Sequence, residues 1–599
     1  MKNRFVSRSM RLPLIASFGT ASLLATGLSL QPTVFAKSTS SNDPAATASS
    51  KANNHNPVKH VVYIIMDNVH YSDIQQMPHV VKFLHQGTVL QNDHTILDSH
   101  TQDGMLSDMT GKYPSQTGVI DQGYYENGQY AGFGYWTNPD PDGKPHVTTT
   151  PNWQTFNQNG WNVGAIGAPD MELESTGELK QADMNPSDSK ASDYLGVAVH
   201  NASGSTTIGS PNLPYLFNAP SWTDPTKTLG GYPGWSDNAD LNWSLQATYE
   251  MQTHGVPVTF TYLHDAHEVG GKEALPGTYD STLQSYDTAM NTFFTKLNAA
   301  GMSPSNTLFV ITTDEGDHLM PQGEQTTNLT GWLANNSLNT ADPNNITVYG
   351  DSGALVYLKD QSKLPQMLAS LDAVPGWNYV ADPTELSALH MSVSAAPDRN
   401  PSFVLFSKPD VYYGYKGSTD WSYDTGYYWN HGTISPDILD IWAGFVGPGV
   451  KSGNTSTQWT DHADTMPTIY SLLGYNLTNQ HFDGVPAVSV FSKANNGKPE
   501  ANLLSAESVF KQLNAPVGQF GMATLRMSTE ASINATNTEG TSLDKQIGDI
   551  TSERDAAAKA LQQDILNTVQ GHPVSSKQLS TDVDRAQHIL DQIQAYTTN

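Results

Sequence analysis

Short apolar, β-branched runs alternate with longer amphipathic stretches along the middle of this chain. Such alternation is typical of a mainly parallel sheet flanked by helices. The predicted strands are 60–68, 257–263 and 307–312. The predicted helices are 77–87, 240–253 and 280–300. We therefore expect an α/β fold with three layers, in which helices cover both faces of the sheet.

Two segments rich in Gly, Pro, Trp, Tyr and Asn interrupt the alternation, at about 124–236 and 319–430. These compositions favour loops, so we expect two loop-rich insertions that shape a pocket over the sheet. The first contains one strand-like run at 162–167. With these insertions, the predicted core domain spans residues 58–496.

Both ends of the chain differ from this core. A basic start, an apolar stretch and Val34-Phe35-Ala36 predict a signal peptide over residues 1–36, with an uncleaved anchor as the alternative. The polar run at 37–57 predicts a flexible linker. Residues 497–599 carry two helical patterns, 542–570 and 577–595, which predict a helical hairpin that packs on the core or on a partner. We expect a secreted or extracellular protein, with cell-surface association left open and no membrane span after signal cleavage.

Charge and cysteine content exclude some classes of protein and of site. The chain has 30 Lys and Arg against 58 Asp and Glu, a formal net charge of -28, so we expect no nucleic-acid-binding patch. It contains no Cys, so any metal must be held by Asp, Glu, His or hydroxyl groups. The oligomeric state stays open.

Thr101 is the candidate nucleophile. It lies where a polar loop turns into a short helix that ends at Gly111. A helix N-terminus suits a bound oxyanion such as phosphate. A threonine attacks well only when a base or a metal ion withdraws its proton, and the alternative is that Thr101 only caps the helix.

Acidic and histidine side chains follow several of the predicted strands. Any one of them alone is readily explained as a solvated loop residue, but together they provide the oxygen and imidazole ligands of two divalent cations. In open α/β sheets, ligands bind at the carboxyl ends of the strands. The candidate metal ligands are Asp67, Thr101, Asp265, His267, Asp314, Glu315, His318 and His431.

Five blocks in this order resemble the alkaline phosphatase superfamily, most closely its nucleotide pyrophosphatase/phosphodiesterase branch. They are the strand ending in Asp67, Thr101 ten residues before Gly111, the Asp265 cluster, the Asp314 cluster, and His431-Gly432 before GFVGPGV. The resemblance covers most of residues 58–496, in separated blocks.

The resemblance implies a mechanism in which Thr101 attacks phosphorus by in-line displacement. Two ions roughly 4 Å apart would clamp the entering and leaving oxygens. One ion would be held by Asp67, Thr101 and Asp314. The other would be held by Asp265, a following histidine and His431.

Two departures from the family pattern affect the metal sites. Val269 stands where the family has a histidine, so we take His267 as the substitute, with His264 behind it. Glu315 stands where the family commonly has histidine, so either Glu315 or His318 completes the second site. Zinc is the expected ion, and the harder ligand set leaves manganese, iron, calcium and magnesium open.

The expected substrate is a small-molecule phosphate ester. Gln122 falls where the diesterase branch places an asparagine, and its amide could bind a phosphoryl oxygen, although an ordinary turn residue is the alternative. No arginine lies between Arg11 and Arg399 to hold a doubly charged monoester. Phosphodiesters or pyrophosphates are therefore favoured. A phosphomonoesterase and a non-catalytic surface or matrix protein on the same fold are the alternatives.

Overall fold

The computed structural model describes most of the predicted core and the C-terminal region. The predicted signal peptide and all but the last residue of the predicted linker lie outside the described residues, as do Asp265 and His267. None of the described helices is long and apolar enough to cross a membrane. The described residues are 57–132, 152–167, 197–209, 212–231, 241–264, 266, 278–336, 345–425, 427–492, 500–572 and 574–595.

The described strands fall into one large sheet and several small ones. In chain order they are β1 His60–Met66, β2 Thr88–His94, β3 Gly123–Glu126, β4 Gln129–Gly132, β5 Val163–Ile166, β6 Val197–His200, β7 Thr206–Ile208, β8 Val258–Leu263, β9 Thr307–Thr312, β10 His318–Leu319, β11 Glu324–Asn328, β12 Ile346–Tyr349, β13 Gly353–Leu358, β14 Trp377–Ala381, β15 Phe403–Ser407, β16 Val411–Gly414, β17 Ser422–Asp424, β18 Trp429–Asn430, β19 Asp440–Val446, β20 Asn454–Ser456 and β21 Thr460–Asp461.

The described α-helices lie mainly between the strands of the large sheet and at the C-terminus. In chain order they are α1 Tyr71–Ile74, α2 Pro78–Leu84, α3 Thr101–Thr110, α4 Pro114–Thr117, α5 Asn152–Gln158, α6 Pro214–Phe217, α7 Leu241–Thr253, α8 Thr278–Ala299, α9 Leu329–Asn336, α10 Leu364–Leu368, α11 Pro383–Ala388, α12 Pro436–Leu439, α13 Thr465–Leu473, α14 Glu500–Asn514, α15 Gln519–Ile533, α16 Thr538–Val569 and α17 Ser576–Gln594.

The large sheet has the strand order β20-β2-β19-β9-β1-β8-β5-β6-β7, with β21 also paired to β2. Its centre, β9-β1-β8-β5, is parallel. Successive side chains of β1 point to opposite faces of the sheet. Val61 and Tyr63 belong to the hydrophobic core on one face, and Val62 and Ile64 belong to the core on the other. Apolar layers on both faces confirm the predicted three-layer α/β fold.

The two predicted insertions contain more regular structure than their compositions indicate. Within 124–236, strands β5, β6 and β7 join the large sheet. Within 319–430, a four-stranded antiparallel sheet has the order β12-β13-β15-β14. Alternate residues of β13 and β15 face two separate cores, so both faces of this small sheet are covered. We call the segment 319–430 the sheet insertion.

The C-terminal region contains the predicted hairpin, α16 and α17, and two further helices, α14 and α15. Their apolar faces form a shared core that includes Phe510, Phe520, Leu561 and Leu590. Lys511 of α14 is fully buried against the main domain. The C-terminal helices therefore pack on the core.

Candidate active site

Two neighbouring parallel strands end side by side, and their ends carry acidic residues. Strand β1 is followed by Asp67 and Asn68, and β9 is followed by Thr313, Asp314 and Glu315. The Asp314 carboxylate accepts hydrogen bonds from the backbone amides of Asn68, at 3.0 Å, and Glu315, at 3.1 Å. These bonds fasten the two strand ends together at the edge where an α/β sheet binds ligands.

Asp67, Asp314 and Glu315 form a buried carboxylate cluster at this edge. One ligand atom from each lies within 4.8 Å of the others. Asp314 Oδ2 and Glu315 Oε2 are buried without a hydrogen-bond partner. Burial raises the pKa of Asp314 to about 6, and burial together with the Asp314 charge raises the pKa of Glu315 well above its usual range. Such a cluster fits a divalent cation, because hard cations take carboxylate oxygens.

Thr101 lies beside this cluster. It is the first residue of α3, whose N-cap residue His100 makes no side-chain capping hydrogen bond. Its hydroxyl donates to Glu315 Oε1 at 3.0 Å, across 214 residues of sequence. The fold therefore brings Thr101 together with Asp67, Asp314 and Glu315, and the positive end of the α3 dipole faces the same place.

His431 borders the cluster. Its Nδ1 lies 2.9 Å from Asp317 Oδ1 and 3.2 Å from Asn68 Nδ2, and its Nε2 lies 3.9 Å from Glu315 Oε1. Burial alone would lower the pKa of His431, but the hydrogen bond and charge of Asp317, together with the charges of Asp351 and Asp314, raise it. Asn68 and Asp317 were not among the predicted site residues. Both occur directly beside predicted ligands, which was the signal that could have identified them.

Of the predicted metal ligands that the structure describes, His318 lies apart from this cluster. His318 lies in β10, which pairs with β18, and its Nδ1 is 2.7 Å from Asp437 Oδ2 while its Nε2 is 3.3 Å from Asp410 Oδ1. Of the two candidates to complete the second site, Glu315 contacts Thr101 and His318 points elsewhere. Asp265 and His267 lie outside the described residues. His264, at the end of β8, is buried, and burial lowers its pKa to about 4.

Gln122 lies beside His100, the residue that precedes Thr101. Its Nε2 lies 2.7 Å from His100 Nδ1. On its other side, the His100 ring contacts the His431 ring edge to face, with centroids 4.7 Å apart. Gln122 is thus connected through one imidazole to a predicted metal ligand.

The Arg399 guanidinium is engaged by a carboxylate and a backbone carbonyl oxygen. Its Nε donates to Glu126 Oε1 at 3.2 Å, and its Nη1 donates to the carbonyl oxygen of Gly118 at 3.2 Å. The side chain is fully buried in these contacts. Its guanidinium therefore forms a structural ion pair in the core.

A comparison with known protein families identifies the family of this chain. The model of the type I phosphodiesterase / nucleotide pyrophosphatase family matches residues 61–437. The chain is a phosphoric ester hydrolase of the alkaline phosphatase superfamily. Within that superfamily it belongs to the type I phosphodiesterase / nucleotide pyrophosphatase family.

Solved structures of this kind are distant from the chain in sequence. Human ectonucleotide pyrophosphatase / phosphodiesterase 5 is 12% identical, with a TM-score of 0.49 over 69% of this chain and 95% of that one. An inactive form of the murine protein in complex with AMP is 14% identical, with a TM-score of 0.47 over 70% of this chain and 95% of that one. No curated protein matches the sequence.

Proposed function

We propose that this protein hydrolyses phosphodiesters or pyrophosphates with Thr101 as nucleophile and with divalent cations at the strand ends. The observation that carries the proposal is the hydrogen bond from Thr101 to Glu315, at 3.0 Å, beside Asp67 and Asp314. A hydroxyl at a helix N-terminus and a cluster of carboxylates for a cation are what phosphoryl transfer to threonine requires.

A cation would be held by Asp67, Asp314 and Glu315 together with Thr101. When bound, it would act as a Lewis acid and lower the pKa of the threonine hydroxyl. The backbone amides of Asn68 and Glu315 hold the Asp314 carboxylate in place for this role. A second cation, with Asp265, His267 and His431 as ligands, is proposed from the family resemblance, and the position of His431 beside Glu315 supports it.

Thr101 then acts on a phosphorus atom placed at the N-terminus of α3. Its oxygen forms the new bond to phosphorus while the bond to the leaving oxygen breaks, which leaves a phosphorylated threonine for water to hydrolyse. The positive end of the helix dipole favours the extra negative charge on the phosphoryl oxygens. Gln122 is proposed to donate its amide to one of these oxygens.

The position of Arg399 favours a diester over a monoester. A doubly charged monoester is best held by a guanidinium, which binds two phosphate oxygens at once. Arg399 is instead fully buried with Glu126 and the carbonyl of Gly118. A neutral amide from Gln122 suits the single charge of a diester. We further propose that the protein is exported, from the signal-peptide pattern at residues 1–36.

The decisive experiment compares bis-p-nitrophenyl phosphate with p-nitrophenyl phosphate as substrates for the mature protein. The protein is first treated with a chelator and then given single divalent metals. We expect turnover to disappear on chelation, to return with metal, and to be higher for the diester. Preference for the monoester would replace the diester proposal with a phosphomonoesterase, and turnover that survives complete metal removal would contradict the proposed metal site.

A further inference from the structure

A second buried cluster of metal-ligand type lies beside the candidate active site. It consists of His100 from the loop before α3, Asp121 from the loop after α4, and Asp351 from the sheet insertion. One ligand atom from each lies within 4.8 Å of the others. The three residues are 3%, 0% and 5% exposed. None of them belongs to the Asp67, Asp314 and Glu315 cluster.

One carboxylate oxygen of this second cluster and one beside it lack a hydrogen-bond partner. They are Asp121 Oδ2 and Oδ2 of the neighbouring Asp98, and both are buried. His100 Nε2 lies 2.9 Å from Asp351 Oδ1, the length of a charge-assisted hydrogen bond. A cation bound between the two side chains would replace the shared proton.

The buried negative charges of this cluster also favour a bound cation. Burying several carboxylates together is costly unless a cation or further hydrogen bonds compensate. Burial, followed by the charges of neighbouring aspartates including Asp351, raises the pKa of Asp98 and Asp121.

Two glycines allow the groups to come this close. A Cβ atom on Gly432 would overlap His100 Nε2 and lie 2.8 Å from Asp351 Oδ1. A Cβ atom on Gly353 would overlap the Asp98 carboxylate. Gly432 also has a φ of 75°, which other residues rarely adopt. The backbone therefore leaves room for converging side chains at this point.

We propose that His100, Asp121 and Asp351 bind a further divalent cation, separate from those of the hydrolytic site. One imidazole with two carboxylates is a donor set for first-row ions such as Mn²⁺. The ion would connect the sheet insertion, through Asp351, to the loop that delivers Thr101.

Such an ion would also orient Gln122. A metal on His100 Nε2 leaves the imidazole proton on Nδ1, and Gln122 Nε2, which faces Nδ1 at 2.7 Å, cannot accept a hydrogen bond from it. The Gln122 amide would present its oxygen to His100 and turn its NH₂ group away from the imidazole. Bound metal would in this way set the side chain that is proposed to hold the phosphoryl group, a consequence that rests on the proposed function.

Anomalous diffraction from crystals of the mature protein equilibrated with Mn²⁺ tests the site directly. We expect an anomalous peak bonded to His100 Nε2 and to the carboxylates of Asp121 and Asp351. The absence of that peak at saturating Mn²⁺ would overturn the proposal. A peak at Asp67, Asp314 and Glu315 bears separately on the hydrolytic site, so the two ideas can fail independently.

Metal content in solution gives the second test. Mn²⁺ bound after gel filtration is measured for the mature protein, Asp121→Asn, Asp351→Asn and the control Asp372→Asn, an exposed aspartate of the same insertion. We expect both cluster variants to retain one ion fewer per chain than the mature protein, and the control to retain all. Unchanged metal content in Asp121→Asn would refute the site even if Asp351→Asn failed to fold.

Discussion

Lys511 and Asp461 form a fully buried ion pair, with Lys511 Nζ 2.6 Å from Asp461 Oδ1. The lysine lies in the C-terminal helix α14, and the aspartate lies at the end of β21 in the large sheet. Asp461 Oδ2 also accepts a hydrogen bond from Tyr113, at 2.7 Å, in the turn after α3. Helix α14 is thus bonded, through Asp461, to the segment that follows the Thr101 helix.

This arrangement predicts that Lys511→Met destabilises the whole protein. The substitution leaves Asp461 and Asp464 buried without their cation. Removal of one partner from a buried pair costs about 3–5 kcal/mol of unfolding free energy. Urea denaturation should show a loss of this size, whereas Lys545→Met, at an exposed lysine of α16, should change stability by less than about 0.5 kcal/mol. Equal stability of the two variants would contradict the conclusion that the C-terminal region stabilises the core domain through Lys511.

The raised pKa of the buried Asp93 carboxyl predicts how the stability of the protein depends on pH. Burial raises the pKa of Asp93 to about 8, with smaller contributions of the same sign from Asp461 and Asp464. In the unfolded chain the pKa is near 4. The folded state therefore binds the Asp93 proton more tightly, and this contribution to stability is complete below about pH 4 and is lost as the pH rises towards 8.

Thermal unfolding from pH 4 to 8 checks this assignment. Asp93→Asn should remove that part of the pH dependence and should be more stable than the unmodified protein at pH 8. Asp372→Asn, at an exposed aspartate of the sheet insertion, is the control and should leave the pH profile unchanged. The assignment fails if Asp93→Asn unfolds with the original pH dependence.

The central strands could be predicted because β1, β8 and β9 are buried on both faces and read as continuous apolar runs. The meeting of Asp67 with Asp314 followed from the shared edge of parallel strands. The insertion at 319–430 was predicted, but the four-stranded sheet inside it was not, because its strands are separated by aromatic and glycine-rich turns. Local sequence does not mark Lys511 as buried, because its acidic partners are about 50 residues away.

The position of His318 depended on a pairing that the sequence does not reveal. A two-residue strand such as β10 is too short to show an alternation of polar and apolar residues in the sequence. In the structure β10 pairs with β18, and His318 contacts Asp437. His100 and Asp351 likewise come together only through the path of the sheet insertion. Spacing between motifs could not supply either contact.

Substitution of Glu315 should therefore reduce turnover and bound metal far more than substitution of His318. Glu315→Gln keeps the shape of the side chain but removes the charge beside Thr101, so we expect turnover to fall by at least about 100-fold and metal content to drop. His318→Ala should stay within a few-fold of the unmodified protein. The assay is metal-activated hydrolysis of bis-p-nitrophenyl phosphate, with bound metal measured on the same samples. Loss of bound metal in His318→Ala alone would reverse the assignment.

Gln122 should matter for phosphoryl binding more than for stability. Gln122→Ala removes the proposed donor, and we expect kcat/KM for the diester to fall by about 10–100-fold, which is typical of a lost hydrogen bond to a charged group. Gln122→Asn, which retains an amide, should recover part of the loss. The control is Gln116→Ala, at a half-buried glutamine of α4. Equal kinetics for Gln122→Ala and the control would remove Gln122 from the site.

The central claim is that Thr101 is the nucleophile. The most direct measurement is the turnover of bis-p-nitrophenyl phosphate by Thr101→Ala, with bound metal and unfolding temperature recorded on the same preparation. Thr110→Ala is the matched control, because its hydroxyl donates to the carbonyl of Leu106 within the same helix. We predict that Thr101→Ala loses turnover while it stays folded and Thr110→Ala remains active. Turnover by Thr101→Ala near the level of the control would contradict the account.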